Sequence, residues 1–345
     1  MLGGGVYVTQ NKTLPGSYIN VVNASAAISS VGERGTVAIA LPLGKAAGTV
    51  IEIDRDDFYN FSEALLGKAY NSADVIALRE IFCNATKVYI YDLGTSGTVA
   101  EAITAFESYE FNILCAYTNE AEDVEAYVNA IKSWRDEMGK KCQLVVYDQE
   151  KPDHEGIINV VSTVSDESAP AFALVAWVAG MEAGCAIHES CTNRLYDGEY
   201  TVITTHSQTE LENCIKNGEI VFHLVYGTVR VLEDVNSLTT VNDNKGEDFK
   251  YNQTIRVVDQ IANDIAKLFN TKYLGRIPNN ASGRVSLWAD IVAHHRQLET
   301  VQAIENFDSS LLTVEQGSTK KSVVVNDVIT VANAMAQLYM TVVIQ

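Results

Sequence analysis

Residues 87–117 read KVYIYDLGTSGTVAEAITAFESYEFNILCAY, and their order of elements decides the fold class. Lys87–Leu93 is a short apolar, β-rich run. Gly94-Thr95-Ser96-Gly97 breaks it, residues 97–107 carry helical character, and Phe111–Tyr117 returns to strand character. The same alternation extends both ways. Upstream lie a strand at Thr36–Leu41 and helical stretches at 56–66 and 74–83. Downstream come a helix at 120–138, a strand at Cys142–Tyr147 and an Ala-rich helix at 169–187. Apolar strands separated by helices of this length predict an α/β layer on a largely parallel sheet.

Past residue 200 the pattern changes. Glu219–Leu232 is β-rich and 240–250 is polar and loop-like. Ile255, Val258, Ile261, Ala262, Ile265, Leu268 and Phe269 then recur at helical spacing. After a turn at Pro278-Asn279-Asn280, Trp288, Ile291, Val292, His295 and Leu298 mark one side of a second helix. Two β-rich segments close the chain, Ser322–Val331 and Leu338–Ile344, after a turn at Gly317. The expected organisation is an arm at 1–22, an acidic α/β domain at 23–200, a smaller α+β domain at 201–330 and a C-terminal strand at 331–345.

The 345 residues carry a net charge of −19. Residues 1–244 hold 15 Lys+Arg against 34 Asp+Glu, and 245–345 hold 10 of each, so all the excess acid lies in the first two thirds. Such a surface repels phosphate backbones and argues against nucleic acid as a partner. No run of about 18 apolar residues argues for membrane insertion. The start, Met1–Gly5, lacks the basic and apolar regions of a signal peptide, so folding in a cytoplasm is expected. The six cysteines form no CxxC pair and read as buried free thiols.

Motifs for chemistry are weak. Gly94–Gly97 stands where helix amides could hold a phosphate, yet it completes neither GxGxxG nor a P-loop, so a plain βα turn is favoured. His294 and His295 point some 100° apart on a helix and cannot grip one metal as an i, i+4 pair would. His188, Glu189, Cys185 and Cys191 lack a repeating ligand spacing. Glu120, Glu122 and Asp123 suit the positive end of a helix dipole. No catalytic residue, cofactor or metal is expected.

Three parts of the chain carry a resemblance. Phe249–Arg284 reads FKYNQTIRVVDQIANDIAKLFNTKYLGRIPNNASGR, preceded by Val229–Thr240, VRVLEDVNSLTT. Gln337–Val343 reads QLYMTVV, and Leu14–Ile19 with Glu33-Arg34-Gly35 lie at the other end. These stretches resemble the contractile tail sheath proteins of phages and of the phage-tail-like bacteriocins of Gram-positive bacteria. The resemblance implies a structural subunit stacked in a helical homo-oligomer around a tail tube protein, between baseplate and tail terminator proteins, in a virion tail or tail-like particle assembled in the bacterial cytoplasm. It implies contraction that drives the tube through an envelope, with terminal arms lending strands to neighbouring subunits.

The sequence supports such arms independently. Tyr18, Ile19, Asn20, Val21 and Val22 form a β-rich run without charge, and so do Leu338, Tyr339, Met340, Thr341, Val342 and Val343. Bare edges of this kind endanger a monomer but connect a polymer. The acidic domain is expected to face outward and the neutral one inward, with Asn23–Val31 and Gln316–Lys321 as linkers. The alternative is a cytosolic α/β enzyme with an oligomerising C-terminal module.

Overall fold

The computed structural model describes residues 31–243 and 245–344. Seven strands form the main sheet: β1 (Thr36–Leu41), β2 (Val50–Asp54), β3 (Lys87–Asp92), β4 (Ile113–Cys115), β5 (Gln143–Tyr147), β6 (Ile157–Val160) and β7 (Glu219–Ile220). Their spatial order is β2-β3-β1-β4-β5-β6-β7. Every neighbouring pair is parallel except β2–β3. Alternate residues of each strand feed two cores. On one face, Val37 and Ile39 join α1 (Arg55–Leu66), α2 (Ile76–Phe82) and α5 (Leu174–Gly184). On the other, Ala38 and Ala40 join α3 (Val99–Phe106) and α4 (Ala121–Ser133). This is the expected largely parallel α/β layer.

Helix boundaries follow local chemistry. Thr98 and Glu101 form a capping box that starts α3, so the helix begins just after Gly97. A π-helical turn at Trp134–Met138 extends α4 and buries both Trp134 and Arg135. The Ala-rich helix is shorter than expected, because α5 is limited to Leu174–Gly184. Its glycines lie against backbone: a Cβ on Gly180 or Gly184 would strike the carbonyls of Ile81 or Asn84, so α5 and α2 touch closely.

The α/β body runs past the boundary expected at 200, since β7 still belongs to its sheet. After α6 (Gln208–Asn217), β8 (Phe222–Val225) and β9 (Thr228–Val231) form a hairpin. The C-terminal module is then built on α7 (Asn252–Leu268) and α8 (Ala281–Thr300). Two small antiparallel pairs complete it: β10 (Ile304–Glu305) with β13 (Thr330–Val331), and β11 (Thr313–Gln316) with β12 (Val323–Asn326). Gln316–Lys321 is the loop of that second hairpin. Gly317 N–H bonds Ser322 O and Asn279 bonds Lys320 O, so it is a pinned turn rather than the expected linker. No helix among the described residues is long and apolar enough to cross a membrane.

Candidate assembly surface

The module is bonded to the α/β body through charge. The first half of α7 is buried although mostly polar, including Asn252, Gln253, Thr254, Arg256, Asp259 and Gln260. Arg135 grips Asp259 with both terminal nitrogens, at 2.6 and 2.9 Å, and also bonds Cys142 O. Arg256 Nη2 lies 2.7 Å from Glu182 and 3.3 Å from Asp234. Asn252 accepts from Gln143 and donates to Val235 O. Buried fork geometry of this kind fixes one docking pose.

The groups that looked chemical are consumed internally. The amides of Gly44, Ala46 and Gly94 point at the Asp92 carboxylate at 2.7–2.9 Å, so the loop around Gly94 holds an anion of its own. Burial works against that charge, but the amides hold the carboxyl below its usual range. Glu182, Cys191 and Asp234 could pass as metal ligands. Arg256 Nη2 stands among them, 3.7 Å from Cys191 Sγ, and supplies the cation itself. Glu182 Oε1 and Asp234 Oδ1 have no N–H or O–H donor from other groups, yet the two carboxyls are within hydrogen-bonding reach of each other. Burial and the neighbouring Asp234 raise the Glu182 carboxyl well above its ordinary value, while Arg256 offsets burial and keeps Asp234 charged.

His294 and His295 are both buried on α8, and their rings meet, with Nδ1 atoms 3.3 Å apart. Sequence reasoning missed this pairing because it considered only a shared metal. Their aspartate partners, Asp264 and Asp327, stand 30 and 32 positions away, so no local signal marked the pair.

The anticipated arm residues are placed as follows. Tyr18, Ile19, Asn20, Val21 and Val22 lie outside the described residues. The C-terminal segment is held as far as Ala334: Ala332 N–H bonds Ala303 O, and Gln253 bonds both Ala332 O and Ala334 N–H. Beyond Ala334 it carries no regular structure. Leu338, Tyr339, Met340, Val342, Val343 and Ile344 are 71–93% exposed, and Thr341 is exposed as well. The strand expected at Leu338–Ile344 finds no partner within its own chain among the described residues.

A matching edge lies in the module. Among the described residues β12, with Val323-Val324-Val325-Asn326, pairs only with β11, and Val324 and Val325 are exposed. Next to it runs a groove lined by Phe269, Leu274, Ile277, Arg284, Lys321 and Val323. Its surroundings are free of acid from Lys267 to Ala289, and Arg276, Lys320 and Lys321 have no carboxylate partner among the described residues.

Comparison with known proteins agrees with this architecture. Residues 94–237 match the family described as the phage tail sheath protein central domain, and 244–345 match the phage tail sheath C-terminal domain. The chain belongs to the phage tail sheath family. A tail sheath protein of Clostridium phage phiCD119 is 29% identical over 67% of this chain and 64% of its own length. The uncharacterized protein YqbK of Bacillus subtilis is 32% identical over 65% of this chain and 48% of its own. The chain thus spans about half to two thirds of these relatives. The crystal structure of a sheath tail protein from Desulfitobacterium hafniense superposes with a TM-score of 0.80 at 22% identity, covering 94% of this chain and 99% of that one. It shares the fold. The two family matches meet between 237 and 244, just before α7 begins.

Proposed function

We propose that this chain is the structural subunit of a contractile tail sheath, and that it polymerises helically by lending terminal strands to neighbouring copies. One observation carries the reading: among the described residues, an uncharged, apolar segment leaves its own body at Ala334 while β12 exposes an unpaired edge. Donor and acceptor are different parts of one molecule, so their contact is heterologous and, where it does not close into a ring, generates a helical filament. Leu338, Tyr339, Met340, Thr341, Val342 and Val343 are the donor residues at this end, and Tyr18–Val22 serve at the other. Family membership and the sheath fold support the assignment. So does the internal use of Asp92, Arg256 and Asp259, which leaves a mechanical role rather than an enzymatic one. Tail tube, baseplate and terminator are the partners beyond the sheath, and the particle is a tail or tail-like device built in a bacterial cytoplasm.

Contraction is a rigid-body rearrangement in which shared strands persist while the subunits rotate. The buried Arg135–Asp259 and Arg256–Asp234 contacts suit this, because they make body and module move as one piece. Negative-stain electron microscopy of the purified chain is expected to show striated hollow cylinders. Removing residues 1–20 should leave folded subunits that form none. Dispersed globules from the intact chain under all salt conditions would end the reading, as would normal cylinders from the shortened one.

The basic groove suits contact with an acidic protein face within the assembly. Reversing Arg276, Lys320 and Lys321 to Glu together is expected to weaken assembly at low salt by at least about tenfold, with little effect on folding. Light-scattering titrations against ionic strength check this: the parent should lose assembly as salt rises, and the reversed variant should lose that dependence.

A further inference from the structure

Hydrogen bonds run without a break from Gly32 to Asp327 through the histidine pair. Gly32 N–H donates to Asp264 Oδ2 at 3.0 Å, and His294 Nε2 meets the same oxygen at 2.9 Å. His294 Nδ1 faces His295 Nδ1 at 3.3 Å, and His295 Nε2 meets Asp327 Oδ2 at 2.6 Å. Proton counting follows from this geometry. Each Nε2 faces a carboxylate and must carry a proton. The two Nδ1 atoms face each other, so one must donate and the other accept. Three protons therefore occupy four nitrogens, and the pair carries a single positive charge between two aspartates.

The relay joins the segments that lead to both ends of the chain. On one side Val31 N–H bonds Gln297 and Gly32 N–H bonds Asp264. On the other, Asp327 comes just before β13 and the last anchored residues, Ala332–Ala334. The two sides are unequal. Asp264 also accepts from Gln260, whereas Asp327, among the described residues, takes its side-chain bond from His295 and is the more exposed. The other groups facing the pair are balanced. Phe307 stands against His295, Arg296 lies over the Phe307 ring, and Arg296 is paired with Glu299. Arg34 reaches the site only through Gln260.

We propose that His294 and His295 form a one-proton clasp that fastens both terminal lead-in segments to α8, and that uptake of a second proton in mild acid opens it on the Asp327 side. The four groups together go from a charge of −1 to 0, so charge balance does not oppose that proton. Bond geometry does: two Nδ1–H groups would then face each other, and one ring must turn away from its aspartate. Asp327, with fewer bonds, is released. The clasp does not depend on polymerisation, since every group belongs to one chain.

Hydrogen–deuterium exchange by mass spectrometry on the full chain tests it at two kinds of position. Exchange at the imidazole carbons of the His294–His295 peptide should show two steps separated by more than about one pH unit, as coupled sites do. Amides of residues 327–334, corrected for the intrinsic pH effect, should lose at least tenfold protection between pH 7.5 and 5, while β11 does not change. In the Asp327→Asn variant amides 327–334 should already be less protected at pH 7.5 and should change less between pH 7.5 and 5, because a neutral amide holds the His295 Nε2–H less tightly than a carboxylate does. A single imidazole step, or unchanged protection of 327–334 in the unaltered chain, overturns the proposal, and neither result bears on whether the chain forms tubes.

Discussion

Chains ending at Ala334 are expected to fold, stay dispersed and form no tubes. Among the described residues Ala334 is the last one bonded to the body, and the side chains after it are exposed. Their removal should change subunit stability by no more than about 0.5 kcal/mol. Assembly is another matter. A shared strand of four to six backbone hydrogen bonds, each worth about 1 kcal/mol, supplies about 5 kcal/mol per contact before apolar burial. Losing it lowers contact affinity by more than about a thousandfold. The acceptor can be blocked separately. Lysine at Val324 and Val325 places charge on the β12 edge, the usual defence of an exposed strand, and should abolish tubes equally. Mixing the two variants then discriminates. The shortened chain keeps an acceptor and the blocked chain keeps a donor, so strand addition predicts limited mixed dimers by analytical ultracentrifugation, never cylinders. Normal cylinders from the shortened chain alone would refute strand lending at this end.

Much of this was legible in the sequence because it rests on periodicity. Runs such as Thr36–Leu41 and Cys142–Tyr147 are buried on both faces and so read as continuous apolar stretches. β2 and β6 escaped notice for different reasons. Val50–Asp54 carries Glu52 and Asp54 because it is an antiparallel edge strand with one wet side. Ile157–Val160 is only four residues long and is interrupted by Asn159, whose side chain bonds the backbone of Gln149. The C-terminal segment was legible as an uncharged, β-rich stretch, but no local signal says what it packs against. Long-range polar pairing was invisible. Arg135 and Asp259 stand 124 positions apart, and neither has a neighbour in sequence that marks it as buried. A helix whose polar residues face inward, as in the first half of α7, defeats any reading that equates burial with apolarity.

That inward-facing charge leads to the largest effect expected on the subunit itself. Replacing Arg256 with Met should destabilise the folded chain by about 3–5 kcal/mol, because Asp234 would remain buried without a counter-charge. Replacing Glu182 with Gln should behave in the opposite way. If Glu182 carries a proton in the native state, Gln reproduces both its shape and its donor, and stability at neutral pH should equal or exceed that of the parent. The pH dependence gives a sharper reading. An acid whose folded value is raised binds more protons when folded than when unfolded, so its contribution falls as pH climbs from its unfolded value, about 4.3, toward the folded one. Glu182→Gln should therefore flatten the decline in stability from about pH 5 upward. Asp234, lowered in the fold, contributes stability that is present at neutral pH and lost in acid, so Asp234→Asn should cost most at neutral pH. Urea unfolding of dispersed subunits at several pH values measures all three variants. A destabilised Glu182→Gln would mean that both carboxyls are ionised around Arg256. The Arg256→Met, Asp234→Asn double variant should be less destabilised than the two single losses added together, since each removes the charge that the other strands.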